Sequence, residues 1–253
     1  MKKRGQVTIF VIIAVVIVAL ILAYFLFRPA PETKDFPDTP QGYMQECMYE
    51  YTRDSLNVLT LQGGFISPEF YKLYQDNKVA YLCYTEEHYK GCTMQVPFIK
   101  QHIQNEIISE IHSKNIDCLN SLRENLEKKG NTITLGSSST EVKIKPDKII
   151  TSIKTDMTIT KDSTEKIREF KTEIPSPLYN QIMIATSILN WEARFGDSDP
   201  MTYMIYYPNI KVEKLKQGDG STIYIITDRE SEKQFMFASR SFIWPAGFVT
   251  TPT

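Results

Sequence analysis

The pattern of apolar and polar positions divides the chain into four regimes. The first is unbroken: Val7 to Phe27, VTIFVIIAVVIVALILAYFLF, holds 21 residues without a charge. An α-helix of that length rises about 30 Å, the depth of a bilayer's hydrocarbon core. Lipid offers the backbone no hydrogen-bond partners, so even a Val/Ile-rich run is helical there. The pattern predicts a transmembrane helix over residues 7–27, preceded by a basic stub over 1–6.

The second regime, residues 28–41, has no apolar period and carries Pro29, Pro31, Pro37 and Pro40 among acidic and small residues. Proline fixes φ and biases its predecessor away from helix, so this is an extended linker, some 30–40 Å long at about 3 Å per residue. Thr39-Pro40 supplies a cap and first turn for the next helix.

The third regime runs at helical spacing. Met44, Cys47, Met48, Tyr51, Ser55, Val58 and Leu59 paint one face of a helix over 41–62, closed by Gly63-Gly64. Residues 65–77 read as an aromatic loop or short turn, and 78–84 (KVAYLCY) as a strand. Pro97 opens a second helix bearing Phe98, Ile99, His102, Ile103, Ile107 and Ile111. Its stripe falters at Lys114-Asn115 and resumes with Cys118, Leu119, Leu122 and Leu126 before Gly130.

The fourth regime changes to a period of two. Ile149, Thr151, Ile153, Thr155, Met157 and Ile159 alternate with polar residues, giving a long strand with one packed face. Val142 and Ile144 before it, and Phe170, Thr172 and Ile174 after it, extend an antiparallel meander. Ser176-Pro177 starts a helix reaching Phe195, apolar at Leu178, Ile182, Ala185, Ile188, Leu189 and Trp191, and Gly196 ends it. Strands over 210–215, 222–227 and 234–239 come next, the first two joined by the hairpin signal Gln217-Gly218-Asp219-Gly220-Ser221. Runs of helix followed by runs of strand give an α+β fold. Its parts are a helical, cysteine-containing part over 42–130 and an antiparallel β-meander plus helix over 131–244, with a tail over 245–253.

Charge sets the orientation. Lys2, Lys3 and Arg4 precede the apolar run and only Arg28 follows it closely, so the N-terminus is cytoplasmic and the bulk extracytoplasmic. The run is too long for a cleaved secretory core and lacks a small-x-small exit, which favours a retained anchor. Of 29 Lys+Arg, three precede the span, leaving 26 against 30 Asp+Glu outside. That mild acidic balance argues against nucleic acid as a partner. The 14 tyrosines and 13 phenylalanines read as core strand residues before they read as a stacking surface.

Four cysteines, an even number in an extracytoplasmic domain, favour disulfides. None is spaced C-x-x-C, which disfavours zinc and thioredoxin-like chemistry. Cys83 and Cys92 flank a polar loop ending in Gly91, and Cys47 and Cys118 each lie on a helical stripe. Of three connectivities, the expected one is Cys47–Cys118 with Cys83–Cys92.

The segment Lys3-Arg4-Gly5-Gln6-Val7-Thr8 resembles the archaeal class III signal peptide, in which a prepilin-type peptidase cuts between glycine and glutamine and the apolar run stays as a filament-core helix. The resemblance implies processing between Gly5 and Gln6, with Thr8 at the family's hydroxyl position and Phe10 where a glutamate is usual. KKRGQVTIF, with a Cys-containing helix, Leu61-Gln62-Gly63-Gly64 and an aromatic strand after it, is similar to a group of uncharacterised single-span archaeal envelope proteins.

Motifs for chemistry are scarce. Gly218-x-Gly220 is too short for a dinucleotide loop, and Gly136-Ser137-Ser138-Ser139 lacks the second glycine of a nucleophile elbow and reads as a linker. His102 lies on an apolar stripe and reads as a packed, hydrogen-bonded residue. His88 sits in the cysteine-flanked loop and His112 near a helix end. No catalytic, cofactor-binding or metal set is assigned, although Glu86-Glu87-His88 is a weak candidate for a metal. A cysteine–histidine nucleophile competes with the disulfides, because a bridged sulfur cannot attack. The final aromatic stretch, Phe235 to Trp244, points to a partner surface at Phe242 and Trp244 if the last strand lies at a sheet edge. The alternative is that these residues fold back over the preceding helix. The leading expectation is an anchored envelope protein with a non-catalytic binding or structural ectodomain, touching lipid through residues 7–27 and a protein partner or a second copy elsewhere. A pilin-like subunit processed after Gly5 is the second, and an extracytoplasmic enzyme of unrecognised class the third.

Overall fold

The chain falls into two units, Met1–Phe36 and Pro37–Thr253. The structure, a computed structural model, describes residues 12–20, 37 and 39–243. Residues 12–20 are helical (α1). Ile12, Ile13, Val15, Val16, Ile17, Val18 and Leu20 are each at least half exposed. The remainder of the expected 7–27 span, and residues 28–36 of the linker, lie outside the described residues. Among the described residues no helix is long and apolar enough to cross a membrane.

The second unit begins with α2, Pro40–Leu59, where the Thr39 Oγ1 accepts from Gly42 N at 3.2 Å and proline takes the first turn. Its buried face is Met44, Cys47, Met48, Thr52, Ser55, Leu56 and Leu59. Val58, read as part of that stripe, faces out instead. A 3₁₀ turn over Thr60–Gln62 leads to Gly63 at φ +71°, the left-handed geometry glycine adopts without a Cβ penalty. After the first strands comes α3, Ile99–Lys128, continuous across the Lys114-Asn115 interruption. The stripe does not break there, because Asn115 itself is fully buried beside Ile111, Cys118 and Leu119. The two helices run antiparallel, since Cys47 meets Cys118 while Tyr51 meets Lys114.

Among the described residues nine strands make two sheets. β4 (Thr132–Ile144), β5 (Lys148–Thr160) and β6 (Thr164–Pro175) form an antiparallel meander. The Gly136–Ser139 stretch belongs to β4 and is not a linker: it sits at a bulge, opposite a matching irregularity in β5. A Cβ at Gly136 would stand 3.1 Å from that of Asp156, so the glycine admits close approach of the neighbouring strand. The larger sheet orders β1 (Tyr71–Tyr74), β2 (Asn77–Tyr84), β9 (Gln234–Arg240), β8 (Thr222–Asp228) and β7 (Ile210–Lys216), with β3 (Thr93–Met94) against β2. Strand β1 falls where the sequence suggested an aromatic loop; it pairs with β2 through a tight turn at Gln75-Asp76, both at positive φ. The sheet is not purely antiparallel, because β2 and β9 pair in parallel.

Helix α4, Leu178–Phe195, is closed by Gly196 at φ +72°. It is followed by a helix absent from the sequence reading, α5, Pro200–Tyr206, whose cap is Asp199 accepting from Met201 N at 3.0 Å. One core of buried side chains takes Leu56 and Leu59 from α2, Ile103 and Ile107 from α3, Ile149 and Ile174 from the small sheet, Ile182 and Leu189 from α4, and Phe235 and Phe237 from β9. The helical part and the sheet part thus share a single core. The opposite face of the large sheet buries Val79, Tyr81, Ile223, Ile225, Met236 and Ala238.

Candidate functional site

Both disulfides pair as the helical faces and the short loop imply. Cys47–Cys118 joins α2 to α3 with Cα atoms 6.2 Å apart, and Cys83–Cys92 closes the loop after β2 at 5.3 Å. All four sulfur-bearing residues are buried and no described cysteine is free. A cysteine nucleophile is thereby removed from consideration.

The edge-strand argument for a partner surface does not survive. β9 lies between β2 and β8, so its backbone is already paired on both sides. Phe242 stacks under the Arg240 guanidinium at 4.6 Å and lies 5.3 Å from the His88 ring. A Cβ at Gly220 would come within 2.1 Å of its ring, so Phe242 is seated on the β7–β8 turn. Ile243 packs against Gly196 and Gly91 at the end of α4. Trp244, Gly5 and Gln6 lie outside the described residues.

The histidines do not converge. His102 packs on Phe65 at 4.2 Å with its Nε2 buried. Burial holds its pKa below the ordinary value, against the pull of Glu106 and of the Gly64 backbone. His112 Nδ1 lies 3.1 Å from Thr140 Oγ1, and in the Glu86-Glu87-His88 loop Glu87 pairs with Lys90 at 2.7 Å. Among the described residues no three His, Cys, Asp or Glu side chains are placed to hold a metal.

The most deeply buried carboxylate carries no motif that would single it out in the sequence. Glu192, on α4, is 2% exposed. Its carboxylate accepts from the Tyr224 hydroxyl and from Ser239 Oγ at 3.2 Å, while its carbonyl accepts from Ser241 Oγ at 2.7 Å. Ser241 Oγ in turn accepts from Cys92 N at 3.1 Å, which ties helix, sheet and disulfide loop together. Burial raises the Glu192 pKa, partly offset by the Tyr224 bond and by Lys214. Desolvation, with the Glu192 charge beside it, also pushes the Tyr224 phenol up. Lys214 Nζ donates to Asp197 and to Ser198 O at 2.9 Å. Glu192 lines none of the larger surface clefts, so the network acts as a structural clasp.

Trp191, expected on the apolar face of α4, is exposed instead, and its neighbour Glu192 is buried. Trp191 and Phe195 point out and stack at 4.8 Å. The outward stripe of α4 then reads Tyr179, Met183, Ser187, Trp191 and Phe195, spaced by four. Helix α5 buries only Tyr203. It presents Met201, Ile205 and Tyr206, with Tyr207 directly after. These large apolar residues, with Met183, Trp191 and Phe195, are 42–76% exposed. A cleft of about 610 Å³ separates the helices, with Tyr203 at its wall held by Ser187 at 3.1 Å. It shares Asn180, Tyr206 and Tyr207 with a second cleft of about 840 Å³ bordered by Pro146, Pro175, Pro177 and Pro208. No charged residue occurs from Leu178 to Trp191 or from Pro200 to Ile210. The result is an exposed apolar surface on an otherwise charged domain, the chemistry expected of a docking face.

Comparison of the chain with protein-family models, with curated proteins and with solved structures found no match.

Proposed function

We propose that the chain is a single-span envelope protein, N-terminus in and C-terminus out, whose domain from residue 37 onward binds a partner through the α4–α5 surface. The observation that carries this reading is α1, which is apolar on every side with seven large side chains at least half exposed. A helix without a polar face needs hydrocarbon around it or a core to enter. Leaving seven such side chains in water forgoes on the order of ten kcal/mol of burial, comparable with the whole stability of a domain. The flanking sequence completes a 21-residue uncharged run with its basic cluster on the N-terminal side. Two buried disulfides with no free cysteine among the described residues suit an oxidising compartment outside the cytoplasm.

The test is topology. Protease added to intact cells is expected to digest the domain after Gln41 and to spare the N-terminus; protection of both ends overturns the reading. The pilin-like alternative keeps one observation in its favour, the Gly5-Gln6 junction, and intact mass decides it, since processing removes Met1 to Gly5 alone.

A further inference from the structure

The largely apolar surface of α4 and α5 has the chemistry of a membrane-interface belt, and we infer that its occupant is the lipid bilayer to which the chain is anchored. This rests on the anchored topology proposed above. Tryptophan and tyrosine place an apolar ring in the acyl region and a polar tip among headgroups. Here Trp191, Tyr206 and Tyr207 are exposed together with Phe195, Met201 and Ile205. The polar side chains between them, such as Asn180, Ser187 and Thr202, are neutral hydrogen-bonding groups. The bases that border this face, Arg194 on α4 and Lys100 over the Tyr179 ring at 5.5 Å, are matched by Asp197 and Asp199 after the helix. Attraction to an anionic surface is therefore not the driving term, and binding is expected to be insensitive to salt.

The tether selects lipid over other apolar partners. Residues 28–39 separate the expected span from α2. Covalent geometry alone limits their reach to at most roughly 40 Å, so the domain cannot leave the neighbourhood of the bilayer. Over such a tether the second contact is intramolecular, at a local concentration on the order of millimolar. A surface too weak to hold a free domain on a vesicle would then still be occupied.

The chain contains two tryptophans, Trp191 and Trp244, which allows a direct readout. The full-length Trp244→Phe variant is reconstituted into phosphatidylcholine vesicles carrying lipids brominated near the top of the acyl chains. Trp191 emission is expected to shift to the blue and to be quenched by the bromines, at low and at high salt alike. The Phe195→Asp/Ile205→Asp variant should lose the quenching while keeping its melting temperature, since both positions are exposed. Resistance to alkaline carbonate reports the anchor separately. A chain that resists carbonate while Trp191 stays unquenched and open to aqueous iodide overturns the inference. So does Trp191 shielded from both quenchers, which would mean that protein and not lipid covers the surface. Release by carbonate sinks the anchored reading, and bromine quenching measured before the wash still separates a lipid-covered surface from a bare one.

Discussion

Asn115→Leu should make the protein more stable. Asn115 is fully buried in α3, between Ile111 one turn before it and Cys118 and Leu119 one turn after. Neither its Nδ2 nor its Oδ1 has a hydrogen-bond partner. A buried amide without partners costs roughly 1–3 kcal/mol by mutational measures. Leucine has the same branching at Cγ, places methyl groups where the polar atoms stood, and gains a further few tenths of a kcal/mol in helix propensity. Some of this is offset by the extra volume, since overpacking a dense core carries its own cost. A net gain of about 2 kcal/mol is expected, or roughly 4–8 °C in Tm for a domain of this size. Urea titration of the oxidised protein, followed by circular dichroism, measures it. Asn115→Ala is the control: it removes the amide but leaves a void, and should fall below the leucine variant. If leucine lowers stability by more than about 1 kcal/mol and alanine does no worse, the amide is bonded in solution and the reasoning is refuted.

The same geometry sets three further outcomes. Replacing Cys47 and Cys118 by alanine frees a sequence separation of 71 residues and should cost about 4 kcal/mol in the chain-entropy account, whereas Cys83 and Cys92, separated by 9, should cost about 3; equal denaturation midpoints for the two variants would contradict it. The raised Glu192 carboxyl keeps its proton in the folded chain at pH values where the unfolded chain has lost it. Its contribution to stability is full below pH 4.5, the ordinary value, and declines as pH rises through the raised pKa; Glu192→Gln should flatten that slope, read as urea midpoints between about pH 4 and 8. Gly220→Ala should destabilise by on the order of 1–3 kcal/mol, because φ is +82° and the new methyl meets the Phe242 ring; a smaller loss from Gly220→Ala in a Phe242→Ala background than in the native chain would identify the clash as one of the two causes.

The sequence disclosed what local periodicity controls. α2, α3 and the alternating strand β5 follow from stripes read at the right spacing, and the disulfides from two cysteines on helical faces and two flanking a short loop. What it concealed depends on long-range partners or on fine helical phase. β1, YKLY, has no fully buried position and so no apolar signature. The Gly136–Ser139 stretch has poor strand residues yet stays within β4, where pairing resumes past the bulge at Ser138 and Ser139 opposite Thr155 and Lys154. Trp191 and Glu192 differ by one step of about 100° around α4, enough to turn Trp191 outward while its neighbour enters the core. A carboxylate three residues after Leu189 on an otherwise buried stripe was the available signal for Glu192. The α4–α5 surface was hidden because α5 is short, and only its Asp199-Pro200 start carried a cap signature.

The parallel seat of β9 beside β2 fixes an order of events in the life of the chain. Residues 77–84 wait for residues 234–240, which are made after every other strand of the sheet. Until then β2 and β8 have an open side each, and the large sheet has a gap at its centre rather than at its rim. Both cross-links, by contrast, join residues no later than Cys118. All four cysteines of the domain are therefore available for pairing before its central strand exists. Completing the sheet requires β9 to enter between β2 and β8, a non-local pairing of the kind that is slow. A chain that stops short of Gln234 would leave two strand edges open across that gap, the feature that invites pairing with other chains.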